Sequence, residues 1–165
     1  MRNFLKSFVY AFKGIVFAVA NERNMRVHLC CLGYMIFFLL RYDFFEVSRT
    51  QAAILALAAA LVIVAEYINT AVERAVDTAS GGEKSESARI AKDTAAGAVL
   101  VATFFAVAIG IVILYQPAAF SALFAYWMSN PLSFVLFVVS FVFAVAFMFV
   151  SPATYLKKIQ EKINL

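Results

Sequence analysis

The sequence predicts an all-α, polytopic membrane helix bundle: an N-terminal amphipathic surface helix followed by about four transmembrane helices. Three observations carry that prediction. Of 165 residues, 64% are hydrophobic, against ~45–50% in soluble domains, and the mean hydropathy is +0.87. The apolar residues fall into long runs separated by short polar breaks. The basic residues, which set the formal net charge of +4, flank those runs instead of covering one face. That placement suits anionic lipid headgroups and argues against nucleic acid as a partner. A single small bundle is the expected domain count.

Residues 3–20 read as a helix on the membrane surface. Phe4, Phe8, Phe12, Ile15 and Val19 recur at three- and four-residue spacing, and Lys6 and Lys13 share a register seven apart. Arg2, Lys6 and Ala18-Val19-Ala20 resemble parts of a cleavable signal. Lys13, in the middle of what would be its apolar core, argues against cleavage. Asn21-Glu22-Arg23-Asn24 is a polar break. The first span is Val27 to Leu40, 14 residues between two arginines, Arg26 and Arg41, that can snorkel.

Arg41 to Thr50 is a polar hairpin. The second spanning helix starts near Gln51 and continues past the bilayer to about Thr78. Ala79 to Ser87 is a Gly/Ser/Glu loop broken at Gly81-Gly82. The third helix starts near Ala88 and is uniformly apolar from Thr94 to Tyr115, ending at Gln116-Pro117. Residues 118–130 are uncharged and aromatic, as expected of an interfacial connection. The fourth span is Leu132 to Val150, 19 residues without a charge, stopped by Ser151-Pro152 and followed by Lys157, Lys158 and Lys162.

Orientation follows from the basic residues. One side holds Arg2, Lys6, Lys13, Arg23, Arg26, Arg74, Lys84, Arg89, Lys92, Lys157, Lys158 and Lys162; the other holds Arg41 and Arg49. Positive charge accumulates on the cytoplasmic side, so both termini are expected there, in a bacterial cytoplasmic membrane. Cys30 and Cys31 are adjacent in an apolar segment, where they read as packing residues. With one histidine in the chain, a Cys/His metal site is not credible.

The candidate chemistry lies where the second spanning helix leaves the membrane. Glu66, Glu73 and Asp77 follow the apolar run at spacings of seven and four. At ~100° per residue they fall within ~40° of one another. Asn69 and Thr70 flank that stripe. Intramembrane acids are expensive to keep and are functional by default. Glu22, Glu83, Glu86, Arg89 and Lys92-Asp93 add charge near the same surface. Carboxylates from different helices suit Mg²⁺, a hard ion that bridges phosphates, and a lysine suits phosphate oxygens. A carboxylate deeper in the apolar zone can take a proton from an alcohol. Together these are parts of a phosphoryl-transfer site acting on a lipid hydroxyl. Gly82-Glu83-Lys84-Ser85 lacks the earlier glycine and the preceding strand of a P-loop, and protein-kinase motifs are absent from the sequence.

Three blocks in order, Asn21-Glu22-Arg23-Asn24-Met25-Arg26-Val27-His28, Glu66-Tyr67-Ile68-Asn69-Thr70-Ala71-Val72-Glu73 and Ala91-Lys92-Asp93-Thr94-Ala95-Ala96-Gly97-Ala98-Val99-Leu100, closely resemble the bacterial diacylglycerol kinase/undecaprenol kinase family. The resemblance covers roughly residues 3–115, and the form of the first block looks more like the Gram-positive, undecaprenol-phosphorylating branch. It implies a homotrimeric Mg-ATP-dependent lipid kinase whose active sites are shared between neighbouring subunits. By position it implies Glu66 as general base toward the lipid hydroxyl, Glu22 and Glu73 as metal-binding carboxylates that also face the nucleotide, and Asn69 as the residue ordering the site. It implies Lys92 on the phosphates, Asp93, Asp77 and Tyr10 on the nucleotide, and Ala96 beside the lipid. Undecaprenol is the first choice of substrate and diacylglycerol the alternative.

Two departures stand out. The loop from Asp77 to Lys92 is about one residue longer than usual and lacks the family's Glu-Tyr-His stretch. The family typically ends after three spans, so residues 1–116 are the expected kinase-like part and 117–165 an added span with a basic tail.

Each residue also has a plainer reading. Glu66 can be a structural acid within the bundle, Glu22 an ordinary helix-start acid, and Lys92-Asp93 an interfacial anchor pair. Ala95-Ala96-Gly97-Ala98 is a close-packing face first and a lipid contact second. His28 reads as interfacial, the phenylalanines of residues 134–149 as lipid-facing bulk, and Lys157-Lys158 as a positive-inside anchor. From another class, a small proton-coupled exporter would use Glu66 as a proton site but has no need of Glu22, Glu73 and Lys92 at one surface. A non-catalytic subunit on a kinase scaffold would not need the acids at all.

Overall fold

The computed structural model describes residues 2–81, 83 and 85–152. The regular elements among them are six α-helices: α1 Arg2–Asn21, α2 Arg23–Arg41, α3 Arg49–Ala79, α4 Glu86–Leu114, α5 Pro117–Ser129 and α6 Pro131–Phe149. Lys84, Lys157, Lys158 and Lys162, counted in the orientation reading, lie outside the described residues, as does Gly82.

Local chemistry explains the helix ends. Ser48 accepts a bond from the Gln51 amide at 3.2 Å while the Gln51 side chain accepts from the Ser48 amide at 2.9 Å, a reciprocal capping box that starts α3. Ser85 does the same job more simply for α4, accepting from the Ala88 amide at 3.1 Å. Pro117 and Pro131 open α5 and α6, where the missing amide hydrogen has no partner to lose. Gly81 turns the chain after α3 at φ 59°, a conformation that disfavours residues with a Cβ.

The expected boundaries hold to within a turn, with two differences. The polar break after α1 shrinks to one non-helical residue, Glu22. Residues 118–129 belong to a helix of their own, α5, because Pro117 initiates it and nothing before Asn130 interrupts it.

Helices α3 and α4 form the most extensive pair. Leu55, Ala58, Val62, Glu66, Asn69 and Thr70 are the buried residues of α3, a single face repeating every three or four residues. Around it, Leu57, Leu61, Val64 and Ile68 are exposed, as are Leu100, Phe104 and Val112 on α4. A chain that buries so few of its apolar side chains expects a lipid solvent. Helix α2 packs on α3 and carries α6 against it as well; α5 packs on α6. Within the chain the Ala95–Ala98 run is not the close-packing face expected. Ala96 and Ala98 are exposed, and a Cβ added at Gly97 meets nothing within 4 Å.

By length and composition, Phe4–Asn21, Arg49–Ala79, Glu86–Leu114 and Pro131–Phe149 are able to cross a membrane. The number is four, but the set differs from the one read in the sequence: α1 qualifies, and α2, with three arginines and His28 in 19 residues, does not. Packing supplies what composition withholds. Helix α2 lies against two apolar helices, α3 and α6, and its buried Arg26 and its Arg41 are both hydrogen-bonded near its two ends.

The added helices fasten to α2 at three levels. At one end Arg26 donates to the Met148 carbonyl of α6. In the middle the Tyr34 and Ser140 hydroxyls bond at 3.1 Å and Phe137 packs edge-on to Phe38. At the other end Trp127 Nε1 donates to the Tyr42 hydroxyl at 3.2 Å, Arg41 donates to the Tyr126 hydroxyl at 3.1 Å, and Trp127 stacks on Phe137 with centroids 4.8 Å apart.

Candidate functional site

The acid stripe of α3 divides by depth into three environments. Glu66 is 2% exposed, and its Oε2 has no hydrogen-bond partner. It lines a cavity of about 320 Å³ with Asn24, Val27 and His28 of α2, Asn69 of α3, and Ala96, Val99, Leu100 and Thr103 of α4. An unpaired buried carboxylate oxygen is costly to keep, so the cavity is a place where a proton donor is wanted.

One turn along, Asn69 donates from Nδ2 to Glu73 Oε1 at 3.1 Å. Its own Oδ1 is buried without a partner, as is the Thr103 hydroxyl. Thr70 bonds back to the Glu66 carbonyl at 3.0 Å and takes no further part. A second apolar cavity, of about 190 Å³, shares His28 and Thr103 with the first and continues between α2, α3 and α4 past Leu32, Met35, Leu55, Ala58 and Ala106. Together they form a track that is polar at the Glu66 end and hydrocarbon-lined beyond.

At the exposed end of the stripe Asp77 pairs across to α4, accepting from Lys92 Nζ at 2.8 Å. Asp93 pairs within α4 with Arg89 at 3.2 Å. These four residues line a cavity of about 600 Å³ with Ser80, Glu83, Ser85, Glu86 and Ala88. It is more polar than the Glu66 cavity, and it holds two cations and four acids.

Of the residues singled out from the sequence, Glu66, Asn69 and Ala96 therefore share one cavity and Asp77, Lys92 and Asp93 another. Glu73 is tied to the first through Asn69, whereas Glu22, the residue between α1 and α2, lines neither. Tyr10 stands apart: it is 67% exposed on α1, with Lys13 Nζ 6.0 Å from its ring centroid, and lines neither cavity. Asn24, His28 and Thr103 are the site-lining residues the sequence reading left out. His28 and Asn24 sit inside the first quoted block, which was a usable signal. Thr103 lies in a uniformly apolar run, and nothing local distinguishes it.

A helical bundle with most of its charged side chains at one end, and a buried carboxylate leading from them into an apolar track, defines a multi-pass membrane protein whose polar chemistry sits where lipid and water meet. The chain belongs to the prokaryotic diacylglycerol kinase family, whose model matches residues 9–114. It is similar to the diacylglycerol kinase of Synechocystis sp. (40% identical over 115 residues, 70% of this chain and 64% of that protein). It is also similar to the undecaprenol kinase of Bacillus subtilis (34% identical over 115 residues, 68% of this chain and 89% of that protein). The match thus spans less than two thirds of the Synechocystis protein. No solved structure matches the chain. The matched segment ends at Leu114, before α5 begins.

Proposed function

We propose that the chain is an ATP- and Mg²⁺-dependent lipid kinase that transfers the γ-phosphate to the hydroxyl of a membrane lipid alcohol. The single observation that carries this is Glu66: a buried carboxylate with a free oxygen, facing a cavity that opens onto an apolar track. A hydroxyl entering from the bilayer donates to Oε2, and Glu66 takes its proton as the hydroxyl oxygen attacks the γ-phosphorus and the bond to the β–γ bridging oxygen breaks, releasing ADP. Mg²⁺, when bound, neutralises phosphate charge. Among the described residues no three His, Cys, Asp or Glu side chains cluster as a preformed metal cage. Glu22 and Glu73 would be the carboxylates that hold the ion, with phosphates and water completing its shell. Lys92, paired with Asp77 in the wall of the larger cavity, is the cation proposed to meet the nucleotide phosphates.

Undecaprenol is the first reading of the substrate, on the form of the Asn21–His28 block and the likeness to the Bacillus undecaprenol kinase. Diacylglycerol is the second, favoured by the Synechocystis relative and by the orphaned Thr103 hydroxyl. A polyprenol brings one polar group to the cavity. A diacylglycerol also brings ester carbonyls, which a spare hydroxyl donor satisfies. The proposed assembly is a homotrimer in the bacterial cytoplasmic membrane with the charged end in the cytoplasm. A shared site accounts for Tyr10 lining neither cavity of its own chain.

The test is transfer of label from γ-labelled ATP to extracted lipid by the purified chain, with undecaprenol and diacylglycerol supplied separately. Glu66→Gln is expected to lower turnover by about 10²–10⁴-fold, the contribution of a general base, while leaving the helical content unchanged. Near-normal turnover in that variant removes the base assignment. Proton-coupled transport without lipid labelling replaces the kinase reading altogether.

A further inference from the structure

Arg26 is 2% exposed, yet the ion pairs among the described residues, Arg89–Asp93 and Lys92–Asp77, do not include it. Its partners are backbone carbonyls at the ends of two helices. Nη1 donates to Val19 O at 3.1 Å and Ala20 O at 3.3 Å, in the last turn of α1; Nε and Nη2 both donate to Met148 O at 3.3 Å, in the last turn of α6. Ser151 Oγ closes the triangle by donating to Ala20 O at 3.1 Å, and the Arg23 guanidinium sits 6.0 Å from the Phe149 ring centroid. A helix C-terminus ends in unsatisfied carbonyls and carries partial negative charge. Two such ends facing one guanidinium do the work of a carboxylate, and the Val19, Ala20 and Met148 carbonyls gain a donor.

The corner held in this way contains Glu22. Its amide donates to Ala18 O at 2.8 Å, and its carbonyl accepts from the Arg26 amide at 3.4 Å. Glu22 is the single non-helical residue between α1 and α2, with extended backbone (φ −95°, ψ 119°) and no capping bond from its side chain. The position of its backbone is therefore set by how α1 and α2 meet, and Arg26 ties the last turn of α1 to α6 at that corner.

We infer that Arg26 is a positioning residue through which the C-terminal end of α6 braces the α1–α2 corner in which Glu22 sits. This gives a function to a helix that lies wholly outside the family match. The consequence for metal use rests on the lipid-kinase reading; the brace itself does not.

Full-length Arg26→Gln, Arg26→Lys and Ser151→Ala test it with two readouts. Hydrogen exchange reads the brace. Arg26→Gln should speed exchange in residues 19–24 and 146–150 together, and Ser151→Ala should do so more weakly at both. Magnesium activation of lipid phosphorylation reads the consequence. The Mg²⁺ midpoint should rise about tenfold in Arg26→Gln, as for one lost charged hydrogen bond. Turnover at saturating Mg²⁺ should stay near the parent's, and Arg26→Lys should fall between the two. Ala20→Cys with Ser151→Cys, in a background with Cys30→Ala and Cys31→Ala, adds a staple across the same gap. Its oxidation should restore the Mg²⁺ midpoint of Arg26→Gln, and its reduction should abolish the rescue. The inference is overturned if exchange rises at residues 19–24 alone, or if the Mg²⁺ midpoint stays put while thermal stability falls. A parent chain that phosphorylates neither lipid fails the kinase reading, and coupled exchange in that chain still supports the brace.

Discussion

Asn69 and Glu73 are joined by one hydrogen bond, Nδ2 to Oε1 at 3.1 Å, with the Asn69 carbonyl oxygen left buried and unpartnered on the other side. The amide thus spans the boundary between the cavity of Glu66 and the carboxylate proposed to hold metal. Asn69→Leu keeps the volume and removes the bond. A hydrogen bond to a charged group contributes ~1.5–3 kcal/mol, so the Mg²⁺ midpoint is expected to rise at least about tenfold. A Mg²⁺ titration of lipid phosphorylation checks this, and an unchanged midpoint removes Asn69 from the metal side of the site.

Lys92 and Asp77 make a prediction about division of labour. The pair is exposed, so its loss should barely change stability. Asp77→Asn releases Lys92 and is expected to raise the KM for ATP a few-fold, in line with the small energy of an exposed pair, with turnover kept. Lys92→Met removes the charge itself and should lower turnover by about 10²-fold or more, as for other lost electrostatic stabilisers of a transition state. Steady-state kinetics against ATP separate the two, and equal effects from both variants contradict the assignment.

Thr103 bears on the choice of lipid. Thr103→Val is nearly isosteric and removes the orphaned hydroxyl. If diacylglycerol is used, its kcat/KM should fall about fivefold or more, the size expected for one neutral hydrogen bond, while undecaprenol phosphorylation stays the same or improves. A competition assay with both lipids measures the ratio directly. A ratio unmoved by the substitution removes Thr103 as a discriminator.

The shared-site proposal predicts complementation. Tyr10 and Glu66 belong to different subunits' contributions if the assembly is a trimer with composite sites. Inactive Glu66→Gln chains mixed with Tyr10→Ala chains should then recover part of the parent activity after reassembly. Mixtures no more active than the sum of their parts argue that each chain works alone.

Ser48 offers a check on the fold that leaves the chemistry aside. Ser48→Ala breaks the capping box of α3 at the end far from the acids. The expected loss is ~0.5–2 kcal/mol of stability with the Mg²⁺ and ATP dependences unchanged.

Much of this was legible along the chain, because helical periodicity and charge spacing are local properties. The stripe of Glu66, Glu73 and Asp77 follows from 3.6 residues per turn, and the buried face from Leu55 to Thr70 has the same origin. Hydropathy marks α3, α4 and α6 as candidate spans, as expected, but it adds α1, expected on the membrane surface, and leaves out α2, expected as the first span. Residues 118–130 looked like a connection since short aromatic runs carry no clear period, and only the structure shows the helix Pro117 begins.

The sequence by itself determined three of the apolar spanning helices, α3, α4 and α6, and the candidate acids, all readable from neighbours within a few turns. Tertiary structure decided what each polar group faces. It buried Glu66 with a free oxygen, turned Asn69 toward Glu73, set Lys92 on Asp77, and brought the carbonyls of α1 and α6 onto Arg26. Met148 is 122 residues from Arg26. No local pattern encodes such a contact, because a backbone carbonyl looks the same at every position until packing brings a helix end to a cation.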